Sequence, residues 1–220
     1  CFLFYIPSAS GDKTPRYGGE LVLAITSDPK SFNPILAKET STTAITSHLF
    51  EGLTTVDPFD LTVKPNLAER WEVSPDGLVW TFFLRDGLRW SDGAALTADD
   101  VVFTFNALIF NDAVPNSSRD IFTIEGKPLK VEKVDAGAVR FILPFRFAPF
   151  LRSMGQEILP KHILEKSIND GRFAFTWGID ARPESVIGCG AFVLASYLPG
   201  QSVVLKRNPF YWKKSADRDF

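Results

Sequence analysis

Cysteine and histidine are scarce in this chain, which limits the chemistry that it can support. There are two cysteines, Cys1 and Cys189, and two histidines, His48 and His162. Neither cysteine has neighbours at the spacing of a metal site or a redox pair, so the sequence predicts neither kind of centre. His48 falls on the apolar side of a predicted helix, where a buried, hydrogen-bonded imidazole is expected. His162 follows Pro160 at a predicted helix start, and we expect it on the surface.

An excess of charge and long apolar runs are also missing. The net charge is −2 with no block of like charge, so neither nucleic acid nor an anionic membrane surface is a predicted partner. After the first ten residues, no window approaches the ~18 apolar residues that a membrane-spanning helix needs. With 45% hydrophobic residues, 15 Gly and 15 Pro, the chain can bury a core and suits one large or two small domains.

Motifs of catalysis and cofactor binding are absent from the sequence. It has no nucleophile elbow, no phosphate-binding glycine loop and no zinc-ligand spacing, and we predict no cofactor and no metal. The carboxylates lie mainly in predicted turns and helix caps: Asp76, Asp86, Asp92, Asp99 and Asp100. The sequence therefore favours a binding protein over an enzyme.

The first ten residues, CFLFYIPSAS, are apolar and then small. They resemble the end of a secretory signal, with a helix-breaking Pro7 before small residues at the positions that a signal peptidase reads. We therefore expect residues 1–10 to be a signal-peptide remnant. A lipid-modified Cys1 and a vector or truncation artefact are the alternatives.

The most regular stretch runs from Trp71 to Asn106. Leu78, Trp80, Phe82 and Leu84 alternate along a predicted strand, between the turn dipeptides Asp76-Gly77 and Asp86-Gly87. Thr97 is placed to cap a helix that begins at Ala98, with Asp99 and Asp100 in its first turn. An apolar stripe follows at Val101, Phe105, Leu108 and Ile109. The stretch is interpreted as a packing unit of turns, strand and helix.

Other elements are predicted on either side of this unit. Glu20 to Thr26 is short and apolar enough for a buried strand. Leu129–Val134 and Ala138–Leu143 form a predicted hairpin, as do Phe192–Tyr197 and Ser202–Arg207. Two short helices are expected after Pro149 and Pro160.

Three stretches resemble the family 5 extracellular solute-binding proteins, the oligopeptide, dipeptide and nickel receptors of ABC importers. The first two are HLFEGLTTVDP (His48 to Pro58) and Pro65 to Phe105, which matches the signature region of the family. The third, Val186 to Trp212, resembles the family's Gly-x-Gly-x-aromatic turn, strand pair and Arg-Asn-Pro-x-Tyr-Trp ending.

The resemblance implies an α/β fold of the periplasmic-binding-protein type (type II, peptide-binding class), with a mixed-sheet lobe and an appended β-hairpin and helix subdomain. Residues 11–220 would form the N-terminal lobe, with a core sheet from about 18–47 and 186–212 and an inserted subdomain at about 48–185. The implied function is that of a receptor that binds a peptide or related solute between two lobes. It would deliver the solute to ABC permease subunits, in the periplasm or outside the cytoplasmic membrane.

The resemblance also suggests ligand-binding residues, although each could have a purely structural role instead. The loop before the first helix lines the cleft in the family, although its Ser and Thr are also good helix caps. Asn116 lies in a loop that approaches the ligand in family members, and a plain surface loop is the alternative. At the Gly-x-Gly turn the family usually has threonine, and a cysteine there is a weaker hydrogen-bond partner. The candidates are Lys38, Glu39, Thr40, Ser41, Asn116, Cys189 and Gly190.

In the family a second lobe follows the Tyr-Trp landmark and supplies the charged groups that grip the ends of the ligand. Because the chain stops at Phe220, we expect the second lobe to be absent and solute binding by this chain alone to be weak. The alternative is a truncated lobe that acts as a protein-interaction or dimerisation module, through the surface that a second lobe would cover.

Overall fold

The computed structural model describes residues 19–213; the predicted signal remnant at 1–10 lies outside them. Mixed helices and short antiparallel strands follow one another along the chain. In order they are α1 (Thr40–Leu49), β1 (Thr54–Val56), β2 (Val63–Pro65), β3 (Ala68–Val73), β4 (Val79–Leu84), α2 (Ala98–Phe103), α3 (Ser118–Ile121), β5 (Thr123–Ile124), β6 (Lys127–Pro128), β7 (Lys130–Lys133), β8 (Ala138–Ile142), α4 (Phe150–Ser153), α5 (Lys161–Asn169), β9 (Phe192–Leu198) and β10 (Ser202–Arg207). A π-helical stretch, Thr104–Ile109, continues α2, and 3-10 turns lie at Phe173–Phe175 and Pro183–Ser185.

A four-stranded antiparallel sheet in the order β3-β4-β8-β7 organises the central part of the chain. The turns at its strand ends form as the sequence predicts, because Gly77 and Gly87 adopt φ angles of +73° and +72° that other residues rarely tolerate. The hairpin predicted from Leu129–Val134 and Ala138–Leu143 joins β7 to β8, with Val131 opposite Phe141. Alternation in β4 buries Phe82 and Leu84, as expected for the side of the strand that faces the core.

Helix α2 begins as predicted, in a capping box. The Thr97 hydroxyl accepts a hydrogen bond from the Asp99 N–H at 3.3 Å, and Asp100 Oδ2 accepts one from the Thr97 N–H at 2.9 Å. Asp100 Oδ1 also accepts from the Lys161 N–H at 2.9 Å, which joins the start of α2 to the start of α5. Burial raises the pKa of this carboxyl, although the same hydrogen bonds oppose the shift.

Aromatic rings fill the space between the sheet and the helices. Phe105 lies 5.0 Å from Phe141 and 5.0 Å from Phe122 between ring centroids, and Phe141 lies 5.7 Å from Phe150, all in edge-to-face arrangements. Each of these four residues is at most 1% exposed. These four rings therefore belong to the core.

Two predictions about the first part of the chain are wrong. Glu20 to Thr26 is not a buried strand: it pairs with no strand among residues 19–213, and Leu21 and Val22 are each 81% exposed. An apolar run favours extended backbone, but a strand also needs hydrogen bonds to a neighbouring strand, and within residues 19–213 this segment makes none. Since no strand forms within 19–47, the predicted core sheet is reduced here to the β9–β10 pair.

The prediction for His48 is wrong as well. The imidazole is exposed, and its ring centroid lies 5.9 Å from that of Phe192. Ile45 and Leu49 occupy the buried side of α1 instead. His162 is exposed as expected, with Nε2 2.8 Å from Asp92 Oδ2. Between residues 19 and 213, no helix combines the length and the apolar character needed to span a membrane.

Candidate functional site

The approach to α1 is fixed by a buried asparagine. Asn33 Oδ1 accepts a hydrogen bond from the Ile35 N–H at 3.0 Å, the local turn that the Phe-Asn-Pro sequence predicts. Its amide reaches across the chain to Thr176 Oγ1, also at 3.0 Å. Asn33 is fully buried. The buried Asn33 therefore fixes the start of the loop that leads to the first four candidate site residues, Lys38 to Ser41.

Lys38 and Glu39 make polar contacts on different sides of this loop. Lys38 Nζ lies 2.7 Å from Glu157 Oε2, in an ion pair whose side chains are 31% and 18% exposed. Glu39 is the N-cap residue of α1, and its carboxylate accepts hydrogen bonds from the Lys30 N–H and the Thr42 hydroxyl. Burial alone would raise the pKa of Glu39, but these hydrogen bonds outweigh it and the pKa is lowered.

Thr40 and Ser41 begin the helix, and the structure separates them. Thr40 is exposed, and its carbonyl accepts from the Thr43 hydroxyl at 3.2 Å. Ser41 is buried on the inner side of α1. Neither side chain caps the helix, because Glu39 holds the cap position. Of these two, Thr40 is the one that a ligand could reach.

Asn116 is engaged within its own loop. Its amide donates to the carbonyl oxygens of Leu108, Ile109 and Val114 at 3.0 to 3.3 Å, and its side-chain oxygen accepts from the Arg119 N–H at 3.0 Å. These contacts close the loop after the π-helical stretch. A ligand contact through the Asn116 side chain would have to compete with them.

Cys189 and Gly190 pack against the last turn of α1. The Gly190 N–H donates to the Leu49 carbonyl at 2.8 Å, which satisfies one of the unpaired carbonyl groups at the helix end. A Cβ atom on Gly188 would lie 2.0 Å from the Leu49 carbonyl oxygen, and one on Gly190 would lie 2.4 Å from that of His48. Cys189 is 2% exposed, and burial, followed by the nearby Glu51 carboxylate, raises the pKa of its thiol.

Six of the seven candidates therefore lie at opposite ends of α1, with Lys38, Glu39, Thr40 and Ser41 at its start and Cys189 and Gly190 at its end. Ten helical residues, Thr40–Leu49, separate them by roughly 15 Å at about 1.5 Å of rise per residue. The N-terminal end borders a cavity of about 320 Å³, which Lys38 lines together with Gln156 and Glu157. The Ser118 hydroxyl donates to Gln156 Oε1 at 2.7 Å, so the Asn116 loop is joined to the wall of this cavity.

Sequence reasoning missed several residues with a clear structural position. Arg152, Gln156 and Glu157 line the cavity, yet the only signal was their charge or polarity within an otherwise apolar stretch. Glu51 was also missed: its carboxylate accepts hydrogen bonds from the Tyr211 hydroxyl and the Trp212 indole N–H, both at 2.7 Å. Within residues 19–213, no group of three His, Cys, Asp or Glu side chains could hold a metal ion.

Comparison with known proteins agrees with a binding role. The family model described as bacterial extracellular solute-binding proteins, family 5 Middle, matches residues 62–219. The dipeptide-binding protein of Escherichia coli is 33% identical over 209 residues, which are 87% of this chain and 38% of that protein. A probable ABC transporter-binding protein of Deinococcus radiodurans is 28% identical over 197 residues, 86% of this chain and 33% of that protein.

Solved structures show the same fold. The oligopeptide-binding protein AppA of Bacillus subtilis, in complex with a nonapeptide, superposes with a TM-score of 0.76 at 29% identity, over 90% of this chain and 38% of that one. The ABC transporter substrate-binding protein CtaP of Listeria monocytogenes gives a TM-score of 0.74 at 34% identity, over 89% of this chain and 38% of that one.

The fold is thus that of the type II periplasmic peptide-binding proteins, a class of receptors and not of enzymes. The chain belongs to family 5 of the bacterial extracellular solute-binding proteins, whose relatives serve ABC transporters. It spans about a third of the length of the relatives that it matches.

Proposed function

We propose that this chain is part of the substrate-binding component of an ABC importer, which takes up peptides or a related solute between two lobes. The match to family 5 over residues 62–219 carries the proposal. It is supported by relatives whose names or structures include peptides, such as the dipeptide-binding protein of Escherichia coli and AppA with a nonapeptide. The receptor works outside the cytoplasmic membrane and delivers its solute to permease subunits.

In this proposal, residues 11–220 form the N-terminal lobe, with a core part at 18–47 and 186–212 and an inserted subdomain at 48–185. Support comes from two contacts between the stretches of the core part: the rings of Phe32 and Tyr197 lie 5.4 Å apart between centroids, and the Gly200 N–H donates to Asp28 Oδ2 at 2.7 Å. The solute lies against the loop of Lys38, Glu39 and Thr40. Closing two lobes around a solute gives the change of state that a permease can recognise.

Calorimetry with a peptide library tests this function. The full product of the gene that encodes these residues is expected to bind peptides, whereas residues 11–220 alone bind weakly, because half of the cleft contacts would be missing. Micromolar binding by residues 11–220 alone would contradict the proposed division of the site between two lobes. Failure of the full product to bind any peptide would contradict the function itself.

A second candidate is an interaction or dimerisation module. The observation that favours it is the exposed apolar surface of Leu21, Val22 and Phe175, which are 81%, 81% and 82% exposed. Size-exclusion chromatography with light scattering separates the two functions. A receptor lobe elutes as a monomer over a hundredfold range of concentration, whereas a self-associating module does not.

A further inference from the structure

The cavity beside Lys38 is open to solvent and is close in size to a small-ligand site. Its volume of about 320 Å³ falls at the lower end of the roughly 300 to 1,000 Å³ that is typical of such sites. Segments that are distant in sequence meet around it: the loop before α1, the end of α3, and the stretch from Pro149 to Glu157. Because its walls come from three parts of the chain, the tertiary fold determines its shape.

One wall of the cavity is apolar and rigid. Phe122 is 1% exposed and belongs to the aromatic core through its contact with Phe105, so it cannot move away. Ile121, next to it, is 49% exposed, and Pro149 faces the same space. An aliphatic group of a ligand would cover the exposed part of Ile121 and gain the stabilisation of apolar burial.

The cavity also has charged lining residues, and their charges do not balance. Glu157 is engaged: Oε2 accepts from Lys38 Nζ at 2.7 Å and from Gln156 Nε2 at 3.0 Å. Within residues 19–213, the Arg152 side chain makes one long hydrogen bond, from Nη1 to the Leu61 carbonyl at 3.4 Å. Among the described residues no carboxylate is within ion-pair distance of Arg152, so two cations and one anion line the cavity.

We infer that this cavity binds a carboxylate that has an apolar group beside it. The Arg152 guanidinium would hold the carboxylate, with Lys38 next to it, and the apolar group would lie on Ile121, Phe122 and Pro149. A planar guanidinium can donate two parallel hydrogen bonds to a carboxylate, which makes arginine the stronger of the two partners. The inference rests on the proposed function for its class of ligand, because peptides offer such a carboxylate at the C-terminus and on acidic side chains.

Methyl NMR on the full gene product tests this inference. The Ile121 δ1 methyl resonance, assigned with Ile121→Val, reports directly on the cavity. N-acetylleucine is expected to shift it in a saturable way, whereas N-acetylleucinamide, which lacks the carboxylate, is not. Acetyl-aspartyl-leucinamide places the carboxylate on a side chain, so comparing the two acids identifies the source that is preferred, and a response to either one supports the site.

Matched variants complete the test. Arg152→Met is expected to weaken N-acetylleucine binding by about tenfold or more, as for the loss of a hydrogen bond to a charged group. Lys38→Met should weaken it less. Arg182→Met is the control, because Arg182 is an exposed arginine outside the cavity.

The outcomes separate this inference from the proposed function. An unmoved Ile121 methyl, an equal response to the amide, or unchanged affinity in Arg152→Met overturns the inference. If peptides still bind in calorimetry, the proposed function stands without it. If the cavity responds to N-acetylleucine while no peptide binds, the carboxylate site stands and the peptide function fails.

Discussion

The two ends of α1 show how differently one helix can be used. Its C-terminal end is closed by the Gly188–Gly190 turn, which lies so near the backbone of His48 and Leu49 that no Cβ fits at Gly188 or Gly190. Its N-terminal end is flanked by Lys38, which lines an open cavity, and by the N-cap residue Glu39, which accepts hydrogen bonds from Lys30 and Thr42. Close packing permits few substitutions, whereas a polar rim can change with the ligand. The C-terminal end of α1 therefore contributes to packing, whereas the N-terminal end, in our proposal, contacts the ligand.

Gly188→Ala is expected to have the largest effect and would test the packed end directly. Its Cβ would lie 2.0 Å from the Leu49 carbonyl oxygen, which is backbone and cannot move aside cheaply. We expect a loss of about 3 kcal/mol in the free energy of unfolding, the upper range for overpacking, measured by urea denaturation. Gly137→Ala is the matched control, because its Cβ meets only Asp135 Oδ1 at 3.7 Å. Equal stability of the two variants would remove the contrast between the helix ends.

Glu51→Gln is expected to cause the second largest loss of stability. Glu51 follows α1 at the packed end, and its carboxylate receives both the Tyr211 hydroxyl and the Trp212 indole N–H at 2.7 Å. An amide keeps one acceptor and loses the charge, so we expect a cost of about 2 kcal/mol, typical of hydrogen bonds to charged groups. Thermal and urea unfolding measure it, with the exposed Glu132→Gln as the control. A cost no greater than the control's would show that this contact does not stabilise the packed end.

Features set by local signals were the more predictable ones. The Gly77 and Gly87 turns and the Thr97 cap of α2 are visible in the residues themselves, whereas the packing of the Gly188–Gly190 turn against α1 was not predicted, because it depends on residues far apart in sequence. The cavity likewise depends on Lys38 meeting Glu157, more than a hundred positions away, and no local pattern announces such a pair. The same reason explains the error at Glu20 to Thr26. The backbone preference is local, but the neighbouring strand is not.

The Lys38–Glu157 pair tests how much the polar, N-terminal end of α1 contributes to stability. A double-mutant cycle with Lys38→Met and Glu157→Gln is expected to give a coupling energy below about 1 kcal/mol, since both side chains keep some exposure and water screens the pair. Chemical denaturation of the four proteins measures it. The Lys64–Asp60 pair, 46% and 50% exposed, serves as the reference and should couple more weakly. A coupling above 2 kcal/mol would mean that the polar end is as structural as the packed one.

Glu39 is expected to give the smallest effect, and one that depends on pH. Because the folded-state pKa of Glu39 is lowered, its contribution to stability is present above the ordinary value of 4.5 and is lost as the pH falls through the folded-state value. Glu39→Gln should therefore cost about 0.5 kcal/mol at pH 7, a small value because the group is largely in contact with water. The difference from the wild type should shrink as the pH is lowered from 7 to 3 in urea denaturation.

Cys189→Ala is the pH-independent control. The Cys189 thiol, whose pKa is raised, stays protonated over that range, so Cys189→Ala should shift stability by the same amount at both pH values. A pH-independent cost for Glu39→Gln would show that its carboxylate is no more favourably placed in the folded chain than in the unfolded one.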